Sequence, residues 1–249
     1  MSEKKFPFDF EAVFQPDDYL YFYGLTITDE VSDKQTAFLE RELKLVQSMR
    51  VLDLACGYGR HANRLARKGC TVVGVDTSEA FLELARKEAE TERLTVTYLK
   101  QDMRRIDFNG EFDRIIMMFT AVGYFDDDEN MTVFRNITRA LKPGGLFCFD
   151  TFNRDLFLKN IRTCHVTDNN DDTMIDRVSF DSVTGRLHNR RTIIRHGKKR
   201  DFEFSIRLYN PTEIKLILKE AGLNVVNFYS DWESNPLNNN PRMITVARK

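Results

Sequence analysis

From Arg50 onward, short apolar runs alternate with amphipathic stretches. Val51–Ala55, Thr71–Val75, Leu94–Leu99, Arg114–Phe119 and Leu146–Phe149 read as strands. Arg114–Phe119 is almost wholly apolar, as expected of a strand buried on both faces. Helical spacing fills the gaps. His61–Lys68 reads as one helix, and Ser78 starts another with Phe81, Leu82, Ala85 and Ala89 on one side. The run Asp126-Asp127-Asp128-Glu129 opens a third, where acids favour the helix dipole, and that helix ends in Leu141-Lys142-Pro143-Gly144-Gly145. Upstream, Ser32 is expected to cap a helix with Gln35 completing a capping box, and Leu39, Leu43 and Val46 form its apolar stripe. Strands alternating with helices in this way predict an α/β fold with right-handed crossovers and a parallel sheet.

The pattern changes after about residue 160. Met174–Asp181, Arg186–His196 and Arg200–Tyr209 read as three strands joined by short turns, an antiparallel insertion rather than a new domain. In the last of them Phe202, Phe204, Ile206 and Leu208 share one face, and Glu203, Ser205, Arg207 and Tyr209 the other. The α/β pattern then resumes. Asn210 caps a helix with Pro211 at its first position and Glu213 closing a capping box. Ile214, Ile217, Leu218 and Ala221 form its buried stripe, Gly222 stops it, and Leu223–Tyr229 and Met243–Ala247 are closing strands.

Composition adds limits. The chain has 249 residues, 42% hydrophobic and 30% charged, which is ordinary for a soluble globular protein. Its net charge of −1 gives no global field toward nucleic acid or membrane. Of the four cysteines, Cys56, Cys70 and Cys148 sit in or beside strand-like runs and read as buried reduced thiols. The N-terminus lacks a signal-type apolar segment, and no run of about 18 apolar residues could span a membrane. A cytoplasmic monomer or homodimer is expected. Residues 186–200 hold seven Lys and Arg, which could meet RNA phosphates, although alternating charges on hairpins usually form a solvated face. His188 and His196 lack metal-ligand spacing, so no metal is expected.

The candidate chemistry lies in Gly57-Tyr58-Gly59-Arg60-His61-Ala62, a G-x-G-x-x-A turn between strand and helix. Dinucleotide enzymes share that signature. Asp53, inside the preceding strand, suits a cofactor carrying positive charge rather than a pyrophosphate. Asp76 ends the second strand, where a carboxylate can accept both hydroxyls of a ribose. Asp102 follows the third, where it can accept an adenine amino group while the Met103 N–H meets a ring nitrogen.

With these acids the chain resembles the class I S-adenosylmethionine-dependent methyltransferases. The matching pieces are Val51-Leu-Asp-Leu-Ala-Cys-Gly-Tyr-Gly59, Val73-Gly-Val-Asp-Thr-Ser78, Gln101-Asp102-Met103, Phe112-Asp113-Arg-Ile-Ile116 and Leu141-Lys-Pro-Gly-Gly145. The resemblance implies a three-layer sandwich around a mostly parallel seven-stranded sheet. One strand near the C-terminus runs antiparallel, and the antiparallel insertion precedes the penultimate helix. It implies a single domain over 1–249: a lid segment at 1–34, a cofactor-binding core at 35–160, a cap at 161–209 and the end of the core at 210–249. It places Gly57 and Gly59 at the amino-acid part of S-adenosylmethionine, Asp76 at its ribose and Asp102 at its adenine, with Ala55 and Thr77 beside them. Backbone carbonyls around Phe119 would face the methionyl amine, and Arg60 its carboxylate.

Methyl transfer from a sulfonium needs alignment and exclusion of water more than an acid or base. Candidates for acceptor positioning are Tyr124, after the fourth strand, and Arg207 and Tyr209, which would hold a polar or anionic acceptor under the cap. Tyr19, Tyr21 and Tyr23 are candidate lid residues, with Tyr23 counted among the cofactor contacts. Asp150 and Asn153 are candidates for the pocket rim. The Asn-Pro-Pro-Tyr signature of adenine and glutamine-amide methylation is absent, Phe119–Tyr124 standing in its place. The expected activity is methyl transfer to N or O of a small molecule. The alternatives are RNA methylation through the basic hairpins, an NAD-dependent oxidoreductase, and a non-catalytic cofactor-binding protein.

Overall fold

The computed structural model describes residues 10–249, so the first nine residues of the lid segment, and the reading that no signal segment is present there, lie outside the described residues. The chain opens with α1 (Phe10–Val13), α2 (Pro16–Tyr23) and α3 (Asp29–Glu42). Strands and helices then alternate as β1 (Arg50–Leu54), α4 (Arg60–Arg67), β2 (Thr71–Asp76), α5 (Glu79–Thr91) and β3 (Val96–Lys100). β4 (Phe112–Met117), α6 (Asp127–Ala140), β5 (Leu141–Phe152) and α7 (Arg154–Lys159) follow. Four consecutive strands come next: β6 (Cys164–Asn169), β7 (Asp172–Asp181), β8 (Arg186–Arg195) and β9 (Lys198–Arg207). The end is formed by α8 (Pro211–Glu220), β10 (Asn224–Tyr229) and β11 (Arg242–Arg248).

The main sheet has the order β10-β11-β5-β4-β1-β2-β3, parallel except for β11, which runs antiparallel to both neighbours. Its two faces carry separate cores. Phe134, Ile137, Ile214 and Leu218 of α6 and α8 pack on one side. Phe38, Leu39, Leu65, Leu82 and Ala85 of α3, α4 and α5 pack on the other. From β1 the chain builds outward through β2 and β3, then returns to β4 on the opposite side. Ligands bind in the crevice beyond the strand ends at such a reversal.

Local physics accounts for most boundaries. Asp126 caps α6 by accepting the Glu129 N–H at 2.8 Å, and Asn210 and Glu213 form the expected reciprocal box. β5 starts at Leu141, so the Leu-Lys-Pro-Gly-Gly segment belongs to the strand. Leu141 pairs with Phe112, and Lys142 Nζ bonds Asp113 Oδ1 at 2.8 Å while Asp113 Oδ2 accepts the Arg50 N–H.

Three expectations need correction. Thr28, not Ser32, caps α3, accepting the Val31 N–H; Ser32 and Gln35 are buried one turn in and serve Arg60. Val46 lies beyond that helix and is exposed, while Leu39 and Leu43 are buried. The insertion has four strands, not three. β6 is an edge strand with exposed polar residues and lacks the apolar alternation that marks a strand in sequence.

The four-stranded cap is bound to α2. Asp18 pairs with Arg195 (2.9 Å) and Arg200 (2.6 Å), and the Tyr21 hydroxyl donates to the Asn169 carbonyl (2.7 Å). Phe22 packs against Met174 and Ile193 of the cap. On the core side the cap is joined at Gly123, whose carbonyl accepts the Arg207 N–H at 2.8 Å.

Candidate cofactor and acceptor site

After β1 the backbone turns through left-handed residues, with φ of 55° at Ala55, 55° at Gly57 and 79° at Gly59. Gly59 starts α4, and a Cβ there would lie 2.3 Å from Tyr98 Oη and 2.9 Å from Ala85 Cβ, so position 59 admits no side chain. A Cβ at Gly57 would meet nothing within 4 Å, because Gly57 borders a cavity. Asp76 braces the loop, accepting the Gly57 N–H at 2.8 Å and the Ser78 N–H at 2.9 Å. Asp102 is held by Arg104, through Nη2 at 2.6 Å and the backbone N–H at 2.9 Å. Burial opposes its ionisation, but the Arg104 hydrogen bonds outweigh this and hold it below the usual carboxylate range.

Beyond β4, Phe119 and Thr120 also adopt positive φ, 66° and 60°. Buried Asp150 fixes this turn by accepting the Phe119 N–H at 2.6 Å while pairing with Arg242. Its carboxylate is thereby turned into the protein, and Asp150 does not line the cavity. Asn153 does not reach the rim either; it caps α7 by accepting the Asp155 N–H.

Arg60 is buried with incomplete partners. Its Nη1 donates to Gln35 Oε1 (2.6 Å) and Ser32 Oγ (3.1 Å), and the guanidinium lies 5.3 Å from the Phe119 ring centroid. Its Nη2 has no partner among the described residues, nor does Oδ2 of Asp53 behind the loop. Burial pushes the Asp53 carboxyl up to about 8, with Arg60 pulling it down and Asp76 adding to the rise.

The sign of the resulting pH effect is fixed. The native ligand-free protein keeps a proton on Asp53 up to about pH 8, whereas the unfolded chain releases it near about pH 4. The native state therefore binds more protons in that window, and this group's contribution to stability falls as pH rises through it. Urea unfolding should show the Asp53→Asn variant gaining on the parent between pH 5 and pH 8. A constant offset across that range would refute the assignment.

The cavity encloses about 710 Å³, within the range of small-molecule sites. The core contributes Ala55, Gly57, Arg60, Asp76, Thr77, Asp102, Met103 and Phe119, and the loop after β4 adds Tyr124. Tyr19 and Tyr23 of α2 close one side, in ring contact with each other at 4.9 Å and with Phe119 at 6.3 and 6.1 Å. Burial raises the Tyr19, Tyr23 and Tyr124 phenols above their ordinary range, so these hydroxyls stay protonated. Asp53, Gly59 and Tyr21 lie outside the lining.

Arg207 and Tyr209 also lie outside it, contrary to the expectation from sequence. Phe204 and Ile206 are the β9 residues that face the cavity, so alternation sends Arg207 outward. It bonds the carbonyls of Leu208 (2.5 Å) and Gly185 (3.3 Å), pairs with Glu213 (3.3 Å) and lies over the Tyr209 ring. Tyr209 falls beyond β9 and is buried, bridging to Asn153.

In their place the cap contributes Asp176, Asn189 and Arg191, none of which the sequence analysis singled out as a site residue. Their period-two spacing with Val178 and Leu187 is the signal that could have found them. The basic hairpins are largely neutralised: Arg190 pairs with Glu203, Arg191 with Asp176, Arg195 and Arg200 with Asp18, and Lys199 with Asp201.

Residues 51–145 match a family model described as a methyltransferase domain. A relative in Geobacillus sp. (strain WCH70) that carries a methyltransferase name is 25% identical over 244 residues, covering 94% of this chain and 99% of that one. The match spans about half the length (47–52%) of several other curated relatives. Residues 51–145 therefore form a methyltransferase domain.

Solved structures agree on the fold. An S-adenosylmethionine-dependent methyltransferase from Clostridium acetobutylicum superposes with a TM-score of 0.80 at 23% identity, covering 93% of this chain and 98% of that one. An amino pentose methyltransferase from Micromonospora echinaspora, solved with S-adenosylmethionine bound, gives 0.64 at 20% identity, covering 100% and 99%. The residues of this site fit that cofactor. Arg60 Nη2 is a buried donor lacking an acceptor, the space beside Gly57 is open, and Asp76 sits where a hydroxyl-bearing ring can approach the loop.

Proposed function

We propose that the methyltransferase transfers a methyl group from S-adenosylmethionine to N or O of a small molecule held between the core and the cap. One observation carries this reading: the glycine loop and the inner face of the cap line a single cavity. The named acceptor of the Micromonospora neighbour, an amino pentose, supports a small-molecule acceptor in a fold of this shape. The paired charges on the hairpins give the RNA alternative no support. Four unbridged cysteines suit a reducing, cytoplasmic setting.

Bound S-adenosylmethionine supplies a methyl group already activated on a sulfonium. In this reading Arg60 binds its carboxylate, the backbone around Phe119 faces its amine, Asp76 accepts from its ribose, and Asp102 with Met103 reads its adenine. Arg104 keeps Asp102 ionised and oriented. Tyr19, Tyr23 and Phe119 exclude water from the path between donor and acceptor. Tyr124 positions the acceptor.

Asp76→Ala should weaken S-adenosylhomocysteine binding by about 1–3 kcal/mol, since charged hydrogen bonds and the brace on Gly57 are lost together. Isothermal calorimetry measures this, and unchanged affinity would count against the ribose role. The activity itself is tested by screening metabolites with S-adenosylmethionine and scoring release of S-adenosylhomocysteine. Protein that binds NAD but not S-adenosylmethionine would end the reading.

A further inference from the structure

Resting on the methyl-transfer reading, we propose that the acceptor is a neutral, flat-ringed molecule that donates a hydrogen bond to Asn189. The cap presents ordered rows of side chains to the cavity. His165, Asp176 and Arg191 are cross-strand neighbours in one row, and Val178, Asn189 and Phe204 form the next. Asp176 is gripped by Arg191 at 2.8 and 2.9 Å and accepts from Asn189 Nδ2 at 3.0 Å.

That contact orients the amide. A carboxylate paired with a guanidinium offers only acceptor oxygens, so the Asn189 NH₂ must face Asp176 and Oδ1 must point elsewhere. Oδ1 is buried and has no partner among the described residues, although Asn189 lines the cavity. A buried carbonyl oxygen left unpaired is costly, and an N–H or O–H on the acceptor satisfies it.

Charge and wall chemistry narrow the class. Among the described residues, the cavity-lining arginines near the acceptor are already neutralised: Arg191 by Asp176, Arg242 by Asp150, and Arg104 by Asp102 and Glu129. Of the arginines that line the cavity, Arg60, at the donor end, keeps an unsatisfied guanidinium nitrogen. An ionised acceptor would therefore be desolvated without a counter-charge. The anionic acceptor expected from Arg207 is thus replaced by a neutral one. Aromatic faces dominate this end of the cavity, with Phe152 and Phe157 in ring contact at 4.9 Å and Tyr124 and Phe204 at 6.5 Å and 29°. Such walls suit a ring that carries few polar groups.

Four probes on one carbon skeleton test this: β-naphthol, its methyl ether, β-naphthoate and decahydro-β-naphthol. Calorimetry of the whole chain loaded with S-adenosylhomocysteine should show β-naphthol binding about tenfold more tightly than each of the other three. Asn189→Leu should remove the preference over the methyl ether while S-adenosylhomocysteine binding is retained. Asn189→Ser, which keeps an acceptor oxygen and less bulk, is the second variant should the leucine disturb folding, and should retain part of the preference. Equal binding of naphthol and its ether, tighter binding of naphthoate or the saturated alcohol, no binding of β-naphthol, or a full preference surviving Asn189→Leu would each overturn the proposal. Failure of the parent to bind S-adenosylhomocysteine would instead remove the methyl-transfer reading beneath it.

Discussion

Replacing Arg60 with methionine will weaken S-adenosylhomocysteine binding by about 1.5–3 kcal/mol, the worth of a charge-assisted hydrogen bond. The guanidinium is nearly fully buried, and burial holds its pKa below the ordinary arginine range, so carrying a charge here has a cost. Gln35 and Ser32 occupy one nitrogen, and Phe119 stacks beneath. The other terminal nitrogen waits for an anion. Methionine keeps much of the packing volume and removes the charge. Thermal unfolding should then show a modest change in the ligand-free protein and a much smaller ligand-induced rise in melting temperature. Arg60→Lys should recover part of the affinity, since it restores charge without the planar fork. Wild-type affinity in the methionine variant would show that Arg60 does not meet the ligand.

The largest loss of stability is expected from Asp150→Ala. Asp150 has no solvent exposure and neutralises Arg242, which is partly exposed. Removing one partner of a buried pair costs about 3–5 kcal/mol, and the exposure of Arg242 places this case near about 3. The same change releases the Phe119 N–H and with it a turn of two residues at positive φ. Urea denaturation should record the lost stability, and calorimetry a parallel loss of S-adenosylhomocysteine affinity at temperatures where the variant is folded. A variant as stable as the parent would mean that Arg242 finds another partner and that the turn holds without Asp150.

The half of the cavity that the core contributes was legible in the sequence because local backbone geometry places it. Gly57, Asp76 and Asp102 line it from strand ends, where backbone geometry sets their positions. The half that the cap contributes was not, because it depends on which face of each cap strand turns inward. On β9 the apolar residues face the cavity, and Arg207 is consumed by Glu213 and backbone carbonyls. Asp176 and Arg191 looked like ordinary hairpin charges until pairing across β7 and β8 brought them together. The partnership of Arg60 with Gln35 and Ser32 was hidden similarly. A plausible capping box had already claimed both residues, while the cap is Thr28.

The bonds between α2 and the cap join positions far apart in the chain, Asp18 to Arg195 and Tyr23 to Arg191 among them. These two segments therefore form one inheritable unit, and substitutions in either are constrained by the other. A chimaera that takes its cap from a relative with a different acceptor must take that relative's N-terminal helix as well, whereas the sheet and its glycine loop can stay.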